Sequence, residues 1–306
     1  MEVYLDEGSM ITILVSDLLS PLWVAIFITA GYNAVITLGL YVSNSAGSLS
    51  VMHAAVAGVG GYTGAVITTN LGLPFILAVL SGAVTGALLG LVVSILTLRM
   101  SLIVASLATL AVGETLRVVI LNVPYLGGAR SFYGIPASTS LENVLLVLAV
   151  VVFVVWRIDR SSLGYSALAT KSNPLASVAS GVNVNLTRIL VFTAGSAIAA
   201  VGGVLRAHYL QVQNPGDMAF VMSLMFVIYW VLGGSHNYWG AVVGAVVLTI
   251  LPEFLRFAVY QRFILFGLLV AVVMVVRPEG IIGRRPLGQR HLLARVRVPS
   301  GKRRSS

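Results

Sequence analysis

Residues Leu73 to Leu98 read LPFILAVLSGAVTGALLGLVVSILTL, and this stretch contains no charged side chain. It is longer than the roughly 20 apolar residues that an α-helix needs to cross the hydrocarbon core of a membrane. Its apolar residues do not alternate with polar ones at every second position, as they would in a strand of a membrane barrel. The stretch therefore predicts a membrane-spanning α-helix.

Stretches of the same kind recur along the chain. Of 306 residues, 58% are hydrophobic and 9% are charged, so a soluble domain of this composition would lack the polar surface that it needs. We predict an all-α fold, a polytopic transmembrane helical bundle with about nine spans, within a range of about eight to ten. The predicted spans lie near Leu18–Val42, Leu49–Thr69, Leu73–Leu98, Ser101–Leu121, Val144–Ile158, Ile189–Leu210, Met218–Leu232, Tyr238–Leu255 and Phe263–Val276.

Basic residues orient the predicted bundle. From Arg277 onward, nine basic residues stand against one acid, Glu279, and basic flanks of membrane spans stay in the cytoplasm. We therefore place the C-terminus in the cytoplasm and, with nine crossings, the N-terminus outside. Arg130 and Arg262 are exceptions, because this topology puts them outside. The basic connector residues that it puts inside are Arg99, Arg157, Arg160, Lys171 and Arg188.

The two ends of the chain differ in charge. The first seventeen residues carry four acids and no Lys or Arg, which is not the pattern of a cleavable signal peptide, so we expect the first span to be retained. Residues 1–283 are predicted to form the transmembrane domain, and residues 284–306 a disordered, basic cytoplasmic tail. Next to a membrane, such a tail is expected to meet anionic lipid headgroups or to be simply solvated, and to bind no nucleic acid.

Small residues repeat on several predicted spans. Gly82, Gly86 and Gly90 recur at every fourth position, as do Gly240 and Gly244. This spacing lets neighbouring helix backbones approach closely inside a membrane. Three more glycines have two readings, close packing or space for a solute path, and they are Gly58, Gly61 and Gly64.

Ionisable residues within the predicted spans carry an energetic cost and need a reason. Glu114 and Arg117 are three residues apart, as are Glu253 and Arg256, so each pair shares a helix face. Both pairs lie toward the outer ends of spans that run in the same direction, which hints at an internal duplication. Each pair is either a structural ion pair or a contact for a solute at the outer vestibule.

Two histidines also lie in predicted spans, His53 and His208. No His, Asp or Glu stands beside either of them at the spacing of metal ligands. We expect both to be hydrogen-bonded interior groups and predict no metal site.

The longest polar interruption before the tail covers residues 159–187. Pro174 is suited to the first turn of a helix, and Gly181 is placed to end one. We predict two short helices lying across the inner face of the bundle. About thirty residues is long for a connector without a task.

Several classes of chemistry are missing from the sequence. The chain has no cysteine, which excludes disulfides and thiolate metal sites. It has no Gly-x-x-x-x-Gly-Lys-Ser/Thr phosphate loop, and neither of the hydrolase motifs His-Glu-x-x-His and Gly-x-Ser-x-Gly. We therefore predict no enzyme activity and no cofactor bound by this chain.

Five segments carry a resemblance to a known family over nearly the whole chain. They are Gly47–Gly64 (GSLSVMHAAVAGVGGYTG), Gly127–Pro136 (GGARSFYGIP), Ala207–Leu210 (AHYL), Val231–Ala245 (VLGGSHNYWGAVVGA) and Arg277–Gly283 (RPEGIIG). With these segments in this order, the chain resembles the membrane-spanning permease subunit of ATP-binding-cassette (ABC) importers of the branched-chain amino acid type. Relatives in that group also import urea, amides and sugars.

The resemblance implies a set of partners for the chain. Two ATPase subunits would bind ATP and Mg and dock on a coupling segment, and a second related permease subunit would complete the pore. An extracytoplasmic solute-binding protein would deliver the solute near Gly127–Pro136. The chain would be a multi-pass protein of the cytoplasmic membrane.

The resemblance also assigns roles to residues. The coupling segment would be Gly164–Gly181, with Gly164, Lys171, Asn173, Pro174 and Gly181 in it. The family commonly has Arg-Glu-Asn or Arg-Glu-Asp there, whereas this chain reads Lys171, Ser172, Asn173 and lacks the acid. The glycines and ionisable residues singled out above, with residues of the Gly47–Gly64 signature, are our candidates for the translocation path or for helix packing: Gly47, Ser50, His53, Gly58, Gly61, Glu114, Arg117, Glu253 and Arg256.

A second class of function is an ion-coupled secondary transporter or channel. Such a protein would place an acid near the middle of the membrane, and Glu114 and Glu253 are the candidates. For the solute of the importer, leucine-like amino acids come first, with urea, short amides and sugars or nucleosides behind them.

Overall fold

The computed structural model describes residues 21–254, 267, 271 and 280–282. Helices dominate this part of the chain, as the apolar runs predict. The α-helices are α1 (Pro21–Ser43), α2 (His53–Thr69), α3 (Phe75–Thr97), α4 (Leu102–Leu121), α5 (Leu141–Asp159), α6 (Ser162–Ser172), α7 (Pro174–Ala179), α8 (Val184–Leu210), α9 (Phe220–Gly234) and α10 (Tyr238–Phe254). Short 3₁₀ turns lie at Pro124–Leu126, Gly128–Arg130 and Pro215–Met218, and two short strands are β1 (Phe132–Tyr133) and β2 (Val212–Gln213).

The described helices confirm a polytopic helical membrane protein. Five of them, α1, α3, α4, α5 and α8, are long and apolar enough to cross a membrane. Helices α9 and α10 meet the same criterion only as a pair, which is bent by 117° at the break between them. These residues thus contain five or six spans, and the count of nine and the orientation remain predictions. The predicted ninth span, Phe263–Val276, lies outside the described residues apart from positions 267 and 271.

Two helices begin several residues before the predicted spans because polar residues cap them. Helix α8 begins at Val184, where Asn183 Oδ1 accepts a hydrogen bond from the backbone N–H of Leu186 at 3.0 Å. Helix α5 begins at Leu141, behind a similar cap by Ser140. Such caps satisfy the free N–H groups of the first turn, and their polarity places them outside an apolar run.

Helix α8 is the centre of the bundle and packs against α1, α2 and α3. The contacts use small residues, as the glycine spacing predicts: a Cβ added at Gly203 would overlap the carbonyl oxygen of Ala57, and one at Gly86 would overlap Ala200. Where lipid provides no hydrophobic drive for association, this close approach supplies the packing energy. The glycines of α3 therefore face α8.

The two strands fasten a loop to the far end of α8. Phe132 of β1 pairs with Gln213 of β2 in antiparallel register, and Tyr133 pairs with Val212. Helix α8 thus runs from the α6–α7 segment at its first residue to this strand pair beyond its last. We call these the linker end and the strand end of the bundle.

Candidate functional site

Helices α6 and α7 at the linker end form the two short helices predicted for this segment. The side chain of Asn173 accepts a hydrogen bond from the backbone N–H of Ala176 at 3.1 Å, and Pro174 occupies the first turn of α7. Gly181 follows α7 with a φ of 84°, in the left-handed region that favours glycine. Asn173, Pro174 and Gly181 therefore shape the bend between α6, α7 and α8.

The α6–α7 segment has a buried face and an exposed face. Ala167 and Thr170 are buried against the bundle. On the other side, four apolar side chains are exposed, among them Leu175 with 84% of its surface free. We call this group the linker patch, and it consists of Tyr165, Leu168, Leu175 and Val178.

Gly164 holds α6 close to the end of α5. A Cβ at this position would lie 2.6 Å from the carbonyl oxygen of Asp159 and would overlap that of Ile158. The α5 end is also tied to α1, because the hydroxyl of Tyr41 donates to the carboxylate of Asp159 at 2.8 Å. The α6–α7 segment is thus anchored to two spans.

A second anchor lies under Lys171. Gly47, in the turn between α1 and α2, has a φ of 78°, and a Cβ there would come within 3.2 Å of the Cα of Lys171. The contact brings together two residues that the sequence assigned to different groups, one to the coupling segment and one to the path or packing set. The turn between α1 and α2 therefore packs against the α6–α7 segment.

His53 sits in a buried network with Ser43 and Ser50. Its Nε2 is 2.9 Å from Ser43 Oγ, and its Nδ1 is 3.2 Å from Ser50 Oγ. With the hydroxyl of Ser43 donating to the carbonyl oxygen of Phe192 at 3.4 Å, the tautomer that serves both ring contacts has Nε2 donating to Ser43 and Nδ1 accepting from Ser50. Both ring nitrogens of His53 are used, as expected for a hydrogen-bonded interior histidine.

His208 is also buried and hydrogen-bonded. Its Nδ1 lies 2.8 Å from the carbonyl oxygen of Val204, and its Nε2 lies 3.0 Å from Thr68 Oγ1. Within the described part of the chain, no three His, Asp or Glu side chains are grouped so that they could hold a metal ion.

Neighbouring residues fill the space beside three glycines of α2. A Cβ at Gly58 would overlap Met218, and one at Gly61 would lie 2.6 Å from Gln213 Oε1. Gly64 faces Val204 of α8 in the same way. Of the two predicted readings, these contacts favour helix packing over an open path.

Glu114 and Arg117 form the predicted ion pair, with Arg117 Nε 2.8 Å from Glu114 Oε2. Each side chain is 32% exposed. The second oxygen of Glu114 accepts the backbone N–H of Phe220, the first residue of α9, at 2.7 Å. The pair therefore joins α4 to α9. Of the other predicted pair, Glu253 lies in α10, while Arg256 lies outside the described residues.

A further ion pair was missed in the sequence. Arg206 Nη2 lies 2.7 Å from Asp217 Oδ1, with both side chains 21% exposed. Arg206 is in α8, within the predicted span Ile189–Leu210, so a search of that span for charges would have found it. Its partner was not predictable, because Asp217 lies in the 3₁₀ turn after β2, outside the helix of Arg206.

Comparison with known proteins places this geometry in context. The sequence model of a family described as "Branched-chain amino acid transport system / permease component" matches residues 22–276. The chain is 26% identical to the high-affinity branched-chain amino acid transport system permease protein LivM of Salmonella typhimurium, over 87% of this chain and 69% of that protein.

Two further relatives show the same likeness. LivM of Escherichia coli is 26% identical over 84% of this chain and 68% of its own length. The permease protein BraD of Pseudomonas aeruginosa is 32% identical over 51% of this chain and 52% of its own length. No solved structure matches the chain.

Proposed function

Because this chain belongs to the family of branched-chain amino acid transport system permease components, we propose that the solute it carries is a branched-chain amino acid. The chain is the permease subunit of an ABC importer, a multi-pass protein of the cell membrane and a transport subunit, not an enzyme. ATPase and binding-protein partners come with this family. The proposal concerns the solute, the docking surfaces and the number of partners.

The observation that carries the docking part of the proposal is the linker patch, while the solute rests on the family. Tyr165, Leu168, Leu175 and Val178 are exposed on two short helices that follow the last residue of a span. An apolar group on such a surface marks an interaction site. The patch suits a groove on an ATPase subunit, and the segment 159–187 is the coupling segment of this proposal.

The anchors of the segment support its use in transmitting movement. Gly164 packs on the end of α5, and Lys171 packs on Gly47 in the turn after α1. A push on the linker patch would therefore reach α1, α5 and α8 together. Two ATPase subunits bind ATP and Mg and supply the push, since no phosphate loop occurs in this sequence.

The strand end is proposed to receive the binding protein. The loop Gly127–Pro136 carries β1, whose pairing with β2 ties it to the end of α8. Basic residues at the linker end support placing that end in the cytoplasm, which leaves the strand end outside. A second, related permease subunit completes the pore. The permease domain covers residues 1–283, and the tail 284–306 lies outside the described residues.

The alternative of an ion-coupled transporter or channel has little support at Glu114. Its carboxylate is engaged by Arg117 and by the first N–H of α9. A carboxylate that exchanges protons or sodium ions during transport needs to be released at each cycle, and these two contacts oppose release.

Two measurements test the proposal. The tagged chain is purified gently from native membranes, and mass spectrometry identifies what accompanies it; a second permease and ATPase subunits are expected. The complex is then reconstituted with its binding protein, and ATP-dependent uptake of labelled leucine is measured in competition with valine, isoleucine, urea and a short amide. Competition by urea or the amide, and not by valine, would move the solute to another class. Uptake that continues without ATP would contradict the coupling segment itself.

A further inference from the structure

A small cavity opens at the linker end of the bundle. It has a volume of about 80 Å³ and lies between the turn that joins α3 to α4 and the first turns of α8. Water occupies about 30 Å³ in the liquid, so the cavity suits a compact group the size of a few waters. Its lining includes the hydroxyls of Ser94 and Thr97, the apolar side chains of Met100 and Leu102, and Arg188.

Arg188 lacks an acceptor in this cavity. Its Nε is buried and has no hydrogen-bond partner among the described residues, and no acidic side chain lines the cavity. The hydroxyl of Ser94 already donates to the carbonyl oxygen of Leu91 at 2.9 Å. A buried cationic donor without an acceptor is costly, so an anion from outside the described chain would satisfy it.

The surroundings of the cavity are positively charged. Arg99 stands in the adjoining α3–α4 turn, and Gly47, which lines the cavity, packs against Lys171. Asp159, an acid that the described residues place at this end, is hydrogen-bonded to Tyr41. Clustered basic residues raise the local concentration of anions.

The mouth of the cavity faces the outer surface of the bundle. Leu102 is 53% exposed, and the next residue, Ile103, is also exposed. Both belong to a helix long and apolar enough to cross a membrane, so this surface meets lipid. The cavity lies at the first turn of that helix, and the headgroups of a bilayer flank the ends of its spans.

We propose that the cavity is a binding site for a phosphate group, held by Arg188. A guanidinium is suited to phosphate because its planar N–H groups bind two oxygens at once. Both a phospholipid of the adjoining leaflet and free phosphate carry this group. The exposed apolar mouth favours the lipid, whose chains would follow α4.

Lipid retention tests the site without relying on transport. The purified importer in detergent is titrated with phosphatidylglycerol, with diacylglycerol, which lacks the phosphate group, as the comparison, and native mass spectrometry counts the bound lipid. Labelled inorganic phosphate is measured separately by equilibrium dialysis. The variants are Arg188→Gln and the matched control Arg157→Gln, which removes a charge from α5 without touching the cavity. Ala105→Leu fills the cavity and keeps Arg188.

Arg188→Gln is expected to weaken phosphatidylglycerol binding by about tenfold or more, the loss of a charged hydrogen bond, while Arg157→Gln changes it little. Ala105→Leu should also weaken it, and it decides the matter if Arg188→Gln fails to fold. Binding of free phosphate that depends on Arg188, without a lipid preference, would support the site with a soluble ligand. Equal binding of both ligands by wild type, Arg188→Gln and Ala105→Leu would overturn the proposal.

Discussion

The carboxylate of Glu114 accepts the backbone N–H of Phe220 at 2.7 Å, although the two residues are 106 positions apart in the sequence. The N–H groups of a first helical turn have no partner within the helix, and a negative charge beside them is favourable. Glu114 thus caps α9 from the side of α4 while it also pairs with Arg117.

Replacing Glu114 should therefore cost more than replacing its ion-pair partner. Glu114→Ala removes both the cap and the pair, and we expect it to lower the free energy of unfolding by about 1 to 2 kcal/mol. Arg117→Gln leaves the bond to Phe220 intact and should cost under about 1 kcal/mol, because the pair is partly exposed. Denaturation of both variants in mixed micelles measures the difference. Equal losses would show that the cap contributes nothing.

Close approach at Gly203 predicts a strong response to a single methyl group. A Cβ there would overlap the carbonyl oxygen of Ala57, so Gly203→Ala must push α8 away from α2, at a cost of about 1 to 3 kcal/mol. Gly113→Ala is the matched control, since the nearest atom to its Cβ would be 3.4 Å away, an ordinary contact. Thermal unfolding in detergent should show a lower midpoint for Gly203→Ala alone. A midpoint unchanged by Gly203→Ala would mean that α8 and α2 do not approach as closely as the contact between Gly203 and Ala57 implies.

Removal of the His53 ring should lower the stability of the protein, and a chelator should not change the size of this loss. His53→Ala leaves the hydroxyl of Ser50 buried without its acceptor, which costs about 1 to 3 kcal/mol. His236→Ala is the control, because that histidine is exposed. Thermal unfolding with and without a chelator compares the two. A chelator that lowers the midpoint of wild type but not of His53→Ala would instead indicate a metal at His53.

The linker patch predicts a loss of coupling when a charge is introduced. Leu175→Asp places a carboxylate on an exposed apolar position, and we expect ATPase association to weaken by at least about tenfold, as for a central interface residue. Ser162→Asp adds the same charge at the exposed start of α6 and should change little. Stimulated ATP hydrolysis and uptake are measured on the same vesicles. Normal values for both with Leu175→Asp would exclude this docking surface.

The sequence was most informative where a property repeats within one helix. The spacing of Gly82, Gly86 and Gly90 predicts a close helix contact, and each of the three faces α8. The spacing of Glu114 and Arg117 predicts an ion pair, which forms at 2.8 Å. Both features depend on helical periodicity, which is fixed by local geometry.

Features that depend on chain folding were not predictable in the same way. No pattern near Glu114 indicates that Phe220 will be its second partner, and none near Gly47 indicates Lys171. The sequence predicts two separate spans at Met218–Leu232 and Tyr238–Leu255, whereas α9 and α10 are long and apolar enough for a span only as a bent pair. Gly233 and Gly240 meet at that bend, since a Cβ on Gly233 would overlap the carbonyl oxygen of Gly240.

Helix α8 connects the linker end and the strand end without a break. Its 27 residues make a rod about 40 Å long, at about 1.5 Å per residue. If α8 pivots where it is packed against α6, a tilt of about 5° would displace the strand end by about 3.5 Å. In the proposed importer, a lever of this length would let a small movement at the linker end weaken the contact with a binding protein at the strand end.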